Sequence, residues 1–565
     1  MQRTGSQILF QALKEERVDT LFGYPGGCVM DIYDELSRQD IRHILVRHEQ
    51  GAIHAADGYA RASGRVGACL VTSGPGATNT VTGIANAYMD SIPVVVLTGQ
   101  VPTAMIGDDG FQEVDITGIT RTCTKHNFLV RRIDELHRAI RDAFRIARSG
   151  RPGPVLVDLP KDVIQSVMET DHLPAHPPAG EEPARNLDGP CGEALKLLLK
   201  AKQPLILVGG GMILGKASGP LRSFVRALQI PVVSTLMGIG AFPASDPLWC
   251  GMLGMHGAYA ANMAVSNCDL LMAVGVRFDD RATSKVEAFA PRAKIVHIDI
   301  DPVSIDKIVR TDLAIVSDCA PVFETLLRLV AERRPAPAES LRAWHNRIRQ
   351  WKAEMPLSYC RTRNIKPQYV VEKLHQLTGG RAIVATEVGQ NQMWAAQFYQ
   401  FDEPNALLTS GGLGAMGFGL PAAIGAQVAC PERLVVDVAG DGSIQMNIQE
   451  LGTIAHYNLP VKVVILNNLY LGMIRQWQEL FYGRRYSQCD MPHSPDFVKL
   501  AEAYGIKGLR AVKPSEVKRV LREGLETPGP VVMEFQVEPE ENVFPMVIPG
   551  TPLNQMHFAA ARAVA

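Results

Sequence analysis

The 565-residue chain has no apolar run approaching the roughly 20 residues that a bilayer-crossing helix needs, so a membrane span is not expected. It also lacks a surplus of charge. The 57 Lys and Arg against 58 Asp and Glu leave a net −1, which gives no electrostatic footprint for nucleic acid or an anionic membrane surface. Ten cysteines stand singly with no Cys-x-x-Cys pair, so neither a zinc site nor a disulfide framework is expected. Reduced thiols fit a cytoplasmic setting best. The start, Met1-Gln-Arg-Thr-Gly-Ser-Gln7, runs straight into an amphipathic stretch from Ile8 to Glu16 and reads as neither a signal nor a transit peptide. Short-period repeats and low-complexity tracts are missing too.

What remains is the composition of an ordinary globular protein, 46% hydrophobic and 20% charged. The length suggests about three to four domains. Two polar, Pro/Ala-rich stretches, 173–183 and 333–339, read as linkers. The blocks they leave alternate strand-like and helix-like segments. The expected fold class is α/β, with three domains that each hold a mostly parallel sheet flanked by helices. The expected boundaries are 1–172, 190–332 and 365–540, with a tail at 541–565.

The most informative segment is Gly440-Asp441-Gly442-Ser443, with Asn467-Asn468 beginning 24 residues after it. Each half follows an apolar, β-branched run, Leu434-Val-Val-Asp-Val-Ala439 and Val461-Lys-Val-Val-Ile-Leu466, of the kind found inside a parallel sheet. Between them, 449–457 has helical composition and about the length of a crossover helix. The unit therefore puts Asp441 and Asn468 just past the carboxyl ends of strands that can be neighbours, the edge where open α/β sheets bind ligands. A carboxylate and an amide oxygen are hard ligands suited to Mg2+ holding a diphosphate. Gly440 and Gly442 let the backbone approach phosphate oxygens. An isolated Gly-Asp-Gly is usually only a turn, but the Asn pair at this distance makes it a metal–diphosphate site.

That pattern resembles the signature of thiamine diphosphate (ThDP) enzymes, and the resemblance implies a lone Glu elsewhere that activates the aminopyrimidine ring. Glu49 is the candidate, in Leu45-Val-Arg-His-Glu-Gln-Gly-Ala52, where a strand-like segment enters a helix reaching Ala62. A carboxyl beside the pyrimidine N1′ shares a proton with it, and the cofactor's own amino group can then deprotonate thiazolium C2. By itself Glu49 could equally pair with Arg47 or sit at a helix start. Three more segments, Tyr24-Pro-Gly-Gly27, Val71-Thr-Ser-Gly-Pro-Gly-Ala-Thr-Asn79 and Val96-Leu-Thr-Gly-Gln100, are strand ends opening into Gly- or Pro-containing loops that could meet on one sheet edge. Ser73-Gly-Pro-Gly76 lacks the ending of a nucleotide P-loop.

The middle block opens with Pro204-Leu-Ile-Leu-Val-Gly-Gly-Gly211, an incomplete dinucleotide-binding start. Val274-Gly-Val-Arg-Phe-Asp-Asp-Arg281 sets two arginines and two carboxylates after a strand. The guanidinium groups could fork onto a diphosphate or form surface ion pairs worth about 0–1 kcal/mol each.

Taken together with Ser149-Gly-Arg-Pro-Gly-Pro-Val-Leu-Val-Asp-Leu-Pro-Lys161 and Thr409-Ser-Gly-Gly-Leu-Gly-Ala-Met-Gly417, these segments resemble the large catalytic subunits of the acetohydroxyacid (acetolactate) synthase family, from about Gly5 to Met556. The resemblance implies a pyrimidine-binding domain, a central FAD-binding domain and a diphosphate-binding domain. It implies Glu49, Gly27, Gln112 and Lys161 as catalytic residues, with Phe111 and Trp477 at the substrate. ThDP would meet Val388, Gly389, Gln390, Gly414, Met416, Gly440, Gly442, Ser443 and Met473. Met416 would wedge the cofactor into a bent form, although a Met is more usually core filler. Mg2+ would take Asp441, Asn468 and the Tyr470 carbonyl. FAD would lie against Arg151, Met255, Arg277, Asp279, Arg281, Asp299 and Asp318.

The family usually has His after Gln390, where this chain has Asn391. Arg277, Asp279 and Arg281 match the FAD-bearing biosynthetic branch, and Trp477 matches the residue that favours 2-ketobutyrate. The implied activity is decarboxylation of pyruvate and condensation with a second 2-keto acid on the way to branched-chain amino acids. A homodimer or tetramer with a separate small regulatory subunit is also implied. An FAD- and ThDP-dependent pyruvate oxidase and a non-catalytic assembly paralogue remain the rival readings.

Overall fold

Eighteen strands make three six-stranded sheets, each wholly parallel, in the computed structural model, which describes residues 2–169, 186–333 and 340–559. The linker stretch 173–183 and all but the first residue of 333–339 lie outside the described residues. Numbering only the strands of these sheets, the first holds β1 (Thr20–Tyr24), β2 (Arg42–Leu45), β3 (Gly67–Val71), β4 (Val94–Gln100), β5 (His126–Leu129) and β6 (Val155–Pro160) in the order β2-β1-β3-β4-β6-β5. The middle sheet holds β7 (Pro204–Val208), β8 (Val232–Ser234), β9 (Trp249–Met252), β10 (Leu270–Val274), β11 (Lys294–Asp299) and β12 (Leu313–Val316) in the order β9-β8-β7-β10-β11-β12. The third holds β13 (Ile383–Thr386), β14 (Leu407–Leu408), β15 (Val435–Gly440), β16 (Lys462–Asn467), β17 (Lys507–Ala511) and β18 (Val531–Gln536) in the order β14-β13-β15-β16-β18-β17.

Apolar β-branched runs put both faces of these sheets under helices. In β3 and β4, Cys69, Val71, Val94 and Val96 face one core, while Ala68, Leu70, Val95 and Leu97 face another beneath helices Gly5–Glu15 and Ile133–Arg148. This is the alternation a pleated strand imposes.

The first and third sheets share one strand order, a likeness not visible as a sequence repeat. In that shared plan, helix Glu49–Ser63 after β2 and helix Gly419–Ala429 after β14 hold equivalent places. They pack directly on each other. A Cβ at Gly58 would lie 2.6 Å from Ala422 Cα, and one at Gly425 would collide with the Ala55 backbone. Two glycines thus bring the backbones into contact, and a continuous apolar core passes through the helix pair from the first sheet to the third.

Residues 541–559 strap back over the third domain and onto the middle one. Val543 exchanges hydrogen bonds with Gln476, with N–H···Oε1 at 2.8 Å and Nε2–H···O at 3.1 Å. Met546–Val547 then pairs antiparallel with Met556–His557, and Val547 and Leu553 enter the middle-domain core.

Candidate active site

The first-domain loops converge at the carboxyl ends of β1, β3 and β4, as their Gly-rich composition suggests. Glu49 is the first residue of its helix, and His48 caps that helix by accepting the Gln50 N–H on Nδ1 at 3.1 Å. The Glu49 carboxylate pairs with Asn79, whose Nδ2 donates to Oε2 at 2.9 Å, and not with Arg47. A Cβ at Gly76 would lie 3.4 Å from Glu49 Oε1. The Cys28 N–H donates to Thr72 Oγ1 at 3.4 Å, fixing the turn that holds Gly27. Gly27 itself opens onto free space, with nothing within 4 Å of a Cβ added there. Gln112 has φ +59 and packs its backbone against Gly74. Phe111 beside it is 87% exposed. Lys161, half-buried, starts helix Lys161–Gln165 directly after β6.

The third-domain residues assemble at the neighbouring ends of β15 and β16, which pair in parallel from Val436↔Lys462 to Gly440↔Leu466. Asp441 and Asn468 are both buried. The Asn468 N–H donates to Asp441 Oδ1 at 3.4 Å, and the Tyr470 N–H donates to Asn468 Oδ1 at 3.1 Å. Among the described residues no hydrogen bond of good geometry reaches the buried Asp441 Oδ2; burial pushes the carboxyl up to about 7, and the nearby Ser494 hydroxyl opposes this in part. An orphaned carboxylate oxygen beside an amide oxygen fits a hard divalent cation, which would favour the charged form. Gln390 reaches the same place, its Oε1 accepting from Asn468 Nδ2 at 3.2 Å. Val388 and Gly414 approach each other, with 4.0 Å from Val388 Cγ1 to a Cβ at Gly414. Gly389 and Gly440 both face Asn391 Oδ1, because the Asn391 amide donates to the Glu387 and Val438 carbonyls, each at 2.8 Å. The loop carrying Gly414 and Met416 is tied down from the first domain. Arg61 Nη1 donates to the Thr409 carbonyl at 3.1 Å, Ser410 Oγ to Asn86 Oδ1 at 2.5 Å, and the Gly412 N–H to Asp90 Oδ1 at 2.7 Å.

Sequence reasoning missed a pair of buried carboxyls beneath this loop, although Asp437 inside an otherwise apolar strand was a visible signal. Glu387 accepts from the Gly417 N–H (2.8 Å), the Leu420 N–H (3.1 Å) and Ser443 Oγ (2.7 Å). Asp437 has no partner for either oxygen. Burial, and then the adjacent Glu387, hold the Asp437 carboxyl well above the usual range, and burial pushes Glu387 up as well, to about 7, so Asp437 is the member of the pair that keeps a proton. The folded state thus binds a proton that the unfolded chain releases, and this stability is lost as pH rises. Asp437→Asn should therefore melt progressively higher than the parent between pH 5 and pH 8, the gap growing by about 1 kcal/mol or more. Melting temperatures of both proteins across that range are the check, and a constant gap refutes the assignment.

The middle sheet has its topological switch between β7 and β10, where an α/β sheet receives a ligand. The Gly209 N–H donates to the Val274 carbonyl at 3.0 Å and the Gly211 N–H to Gly275 at 3.2 Å. A Cβ at Gly211 would fall 2.6 Å from Gly275 Cα, so glycine is what lets these two turns pack backbone to backbone at the switch. Arg277 sits 3.7 Å from Asp279, and Arg281 sits 3.6 Å from Asp280. Asp279 also caps helix Asp280–Thr283 through the Ala282 N–H. The Met255 N–H donates to the Arg281 carbonyl at 2.9 Å. Arg151 reaches Ser91 Oγ at 2.8 Å and Asp301 at 3.4 Å. Asp299 is buried, which pushes it up to about 6, and Asp318 accepts the Cys319 N–H. Arg277, just past the end of β10 and only loosely paired with Asp279 at 3.7 Å, has chemistry that fits the diphosphate of a dinucleotide at this switch.

Three family models cover the chain. "Thiamine pyrophosphate enzyme, N-terminal TPP binding domain" matches residues 3–119, the central domain of the same enzymes 191–326, and the "C-terminal TPP binding domain" 387–535. The chain is 49% identical to the acetolactate synthase isozyme 3 large subunit of Escherichia coli over 98% of both chains. This protein is an acetolactate synthase large-subunit family member. The likeness crosses kingdoms: the probable acetolactate synthase large subunit of Methanocaldococcus jannaschii is 47% identical over 97% of this chain and 94% of its own. Acetolactate synthase 1, chloroplastic, of rice is 49% identical over 98% of this chain and 88% of its own.

The models named for TPP binding cover the first and third domains of this acetolactate synthase family member, the two domains that hold the candidate residues described above. Trp477 lies on helix Gly472–Phe481, one turn beyond Met473. The helix turns Arg475 and Gln476 inward, leaving Trp477 half-buried with its ring edge-on to Phe481 at 5.4 Å. Among the described residues, no helix is long and apolar enough to cross a membrane, and all ten cysteines are free thiols.

Proposed function

We propose that the protein decarboxylates pyruvate and condenses the two-carbon unit with pyruvate or 2-ketobutyrate, giving 2-acetolactate or 2-aceto-2-hydroxybutyrate. The observation that carries this is the orphaned, buried Asp441 oxygen beside Asn468, in a chain that also presents Glu49 at a helix start. ThDP, when bound, supplies a nucleophilic thiazolium carbon and an electron sink for the departing carboxylate. Glu49 would hold the proton shared with pyrimidine N1′. Asp441, Asn468 and the Tyr470 carbonyl would hold Mg2+ against the diphosphate, with Val388, Gly389, Gln390, Gly440, Gly442 and Ser443 around it. Gly414 and Met416 would set the ring orientation, with Met473 packing beside them. Gly27, Phe111, Gln112 and Lys161 would shape the reaction space and exclude water. Arg151, Met255, Arg277, Asp279, Arg281, Asp299 and Asp318 would bind FAD in a structural role.

Completion of the site by a second copy is supported by exposed apolar groups around both halves, Phe111, Met446 (53% exposed) and Ile474 (51% exposed). We assign the active form to a homodimer or tetramer. Because the relatives are named large subunits, a separate small subunit is part of the proposal, as is a cytoplasmic setting. The decisive experiment incubates purified protein with pyruvate, with and without ThDP, Mg2+ and FAD. Acetolactate requiring ThDP and Mg2+ is expected. Oxygen consumption or acetyl phosphate would support the oxidase reading, and no product under any condition would favour the non-catalytic one.

Substrate choice provides a sharper test. The extra methylene of 2-ketobutyrate against a flat indole is worth roughly 1–3 kcal/mol. Trp477→Gln should lower preference for 2-ketobutyrate by about tenfold or more while acetolactate formation from pyruvate survives. Product ratios in a competition between the two keto acids measure this, and an unchanged ratio makes Trp477 a packing residue.

A further inference from the structure

The edge strand β2 is followed by three residues, Val46, Arg47 and His48, that lead directly into Glu49. Val46 still pairs with β1, its N–H donating to the Gly23 carbonyl at 3.2 Å. The Arg47 and His48 amides, and the outward groups of His43 and Leu45 before them, meet third-domain side chains instead. Glu450 Oε1 accepts the Arg47 N–H at 2.9 Å and the His48 N–H at 3.1 Å. Tyr457 OH accepts the Leu45 N–H at 2.8 Å and donates to the His43 carbonyl at 3.3 Å. Arg47 Nη2 in turn donates to the Gly452 carbonyl at 3.3 Å. The crossover between Asp441 and Asn468 thus supplies the missing ladder for the segment that presents Glu49.

Glu450 is built into this position. It is fully buried and ends the turn Ile448–Glu450. Its second oxygen accepts from Thr453 Oγ1 at 2.6 Å. Room for it exists because residue 51 is glycine, where a Cβ would collide with Glu450 Oε1. Burial raises the Glu450 carboxyl above the ordinary range, and the Thr453 hydroxyl and the Arg47 and His48 amides pull it back toward the charged form. By contrast, the Glu49 side chain is tethered by the single bond from Asn79. The backbone at 47–48 therefore decides where the Glu49 carboxyl points.

We propose that Glu450 is a positioning residue for Glu49, holding the Arg47 and His48 amides so that the Glu49 carboxyl meets the cofactor pyrimidine. This rests on the assignment of Glu49 made above. Among the described residues the hydrogen bonds of Glu450 go to Arg47, His48 and Thr453, none of them a proposed diphosphate ligand or part of helix Gly472–Phe481, so its loss should slow deprotonation of ThDP C2 and leave cofactor affinity alone. A displacement of the carboxyl by about 1 Å is enough to cost on the order of 100-fold.

The test is deuterium exchange at C2 of bound ThDP, quenched and read by NMR, on the holoenzyme and on Glu49→Gln, Glu450→Ala, Glu450→Gln and Glu450→Asp. ThDP affinity is measured in parallel. Expected are exchange slowed about 10- to 100-fold in Glu450→Ala with ThDP affinity close to the parent, and substantial recovery in Glu450→Gln, whose amide oxygen still accepts both N–H groups. Amide hydrogen exchange of residues 45–50 in the cofactor-free protein should rise in Glu450→Ala and fall back in Glu450→Gln. If Glu450→Ala does not fold, Glu450→Asp, one methylene short of the amides, should exchange C2 more slowly than Glu450→Gln. Parent-like exchange in Glu450→Ala, or equal parent-like rates in the Asp and Gln variants, overturns the proposal while a slow Glu49→Gln keeps the Glu49 reading intact. Parent-like exchange in Glu49→Gln overturns that reading and this one with it.

Discussion

Glu49→Gln should lower turnover by about 100- to 10,000-fold, the range carried by a positioned proton-transfer group, with fold and Mg2+-dependent ThDP binding nearly unchanged. The reason lies in how the side chain is held. Its tether is a donated N–H from Asn79, and a Gln carbonyl accepts that bond as well as a carboxylate does. What Gln cannot do is share a proton with a ring nitrogen. Steady-state rates, circular dichroism and a ThDP titration on the same preparation separate these effects. Activity near that of the parent would remove Glu49 from the mechanism.

Asp441→Ala should fail in the opposite way. Asp441 is the one carboxylate among the three proposed metal ligands, so its loss removes the charge that holds Mg2+ and, through it, the diphosphate. Melting curves give the readout. A ligand at 100 times its Kd stabilises the parent by about 2.7 kcal/mol, and this ThDP- and Mg2+-dependent gain should largely vanish in the variant. The cofactor-free variant should lose little, because the parent already bears an unpartnered, buried carboxyl oxygen there. Undiminished stabilisation by ThDP would place the metal elsewhere.

The two predictions rest on features legible to different degrees in the sequence. Asp441 and Asn468 were readable because their positions follow from strand ends: β15 ends at Gly440 and β16 at Asn467, so local pattern and site coincide. The expected crossover proved shorter, a turn at Ile448–Glu450 followed by helix Leu451–His456. Glu49 was readable as the start of a helix, but its partner Asn79 lies 30 residues away, and no local rule names it. Glu450 and the Asp90–Gly412 contact were illegible for a stronger reason. Each bonds to backbone N–H groups of the other domain, 402 and 322 residues away for His48 and Gly412, and a backbone acceptor leaves no mark in the partner's residue type. Asp437 shows a third case, since its oddity inside an apolar strand was visible while its neighbour Glu387 came only from the fold.

The shared strand order of the first and third sheets has a mechanical consequence. Two domains of one plan meet through helices that occupy the same place in each, so the joint between them is close to symmetric. One side of that joint has a carboxylate where its helix begins, and the other has an acidic turn after its third strand. With backbone against backbone at Gly58 and Gly425, the joint has no side-chain cushion, and any side chain added at either glycine would push the two domains apart as whole bodies.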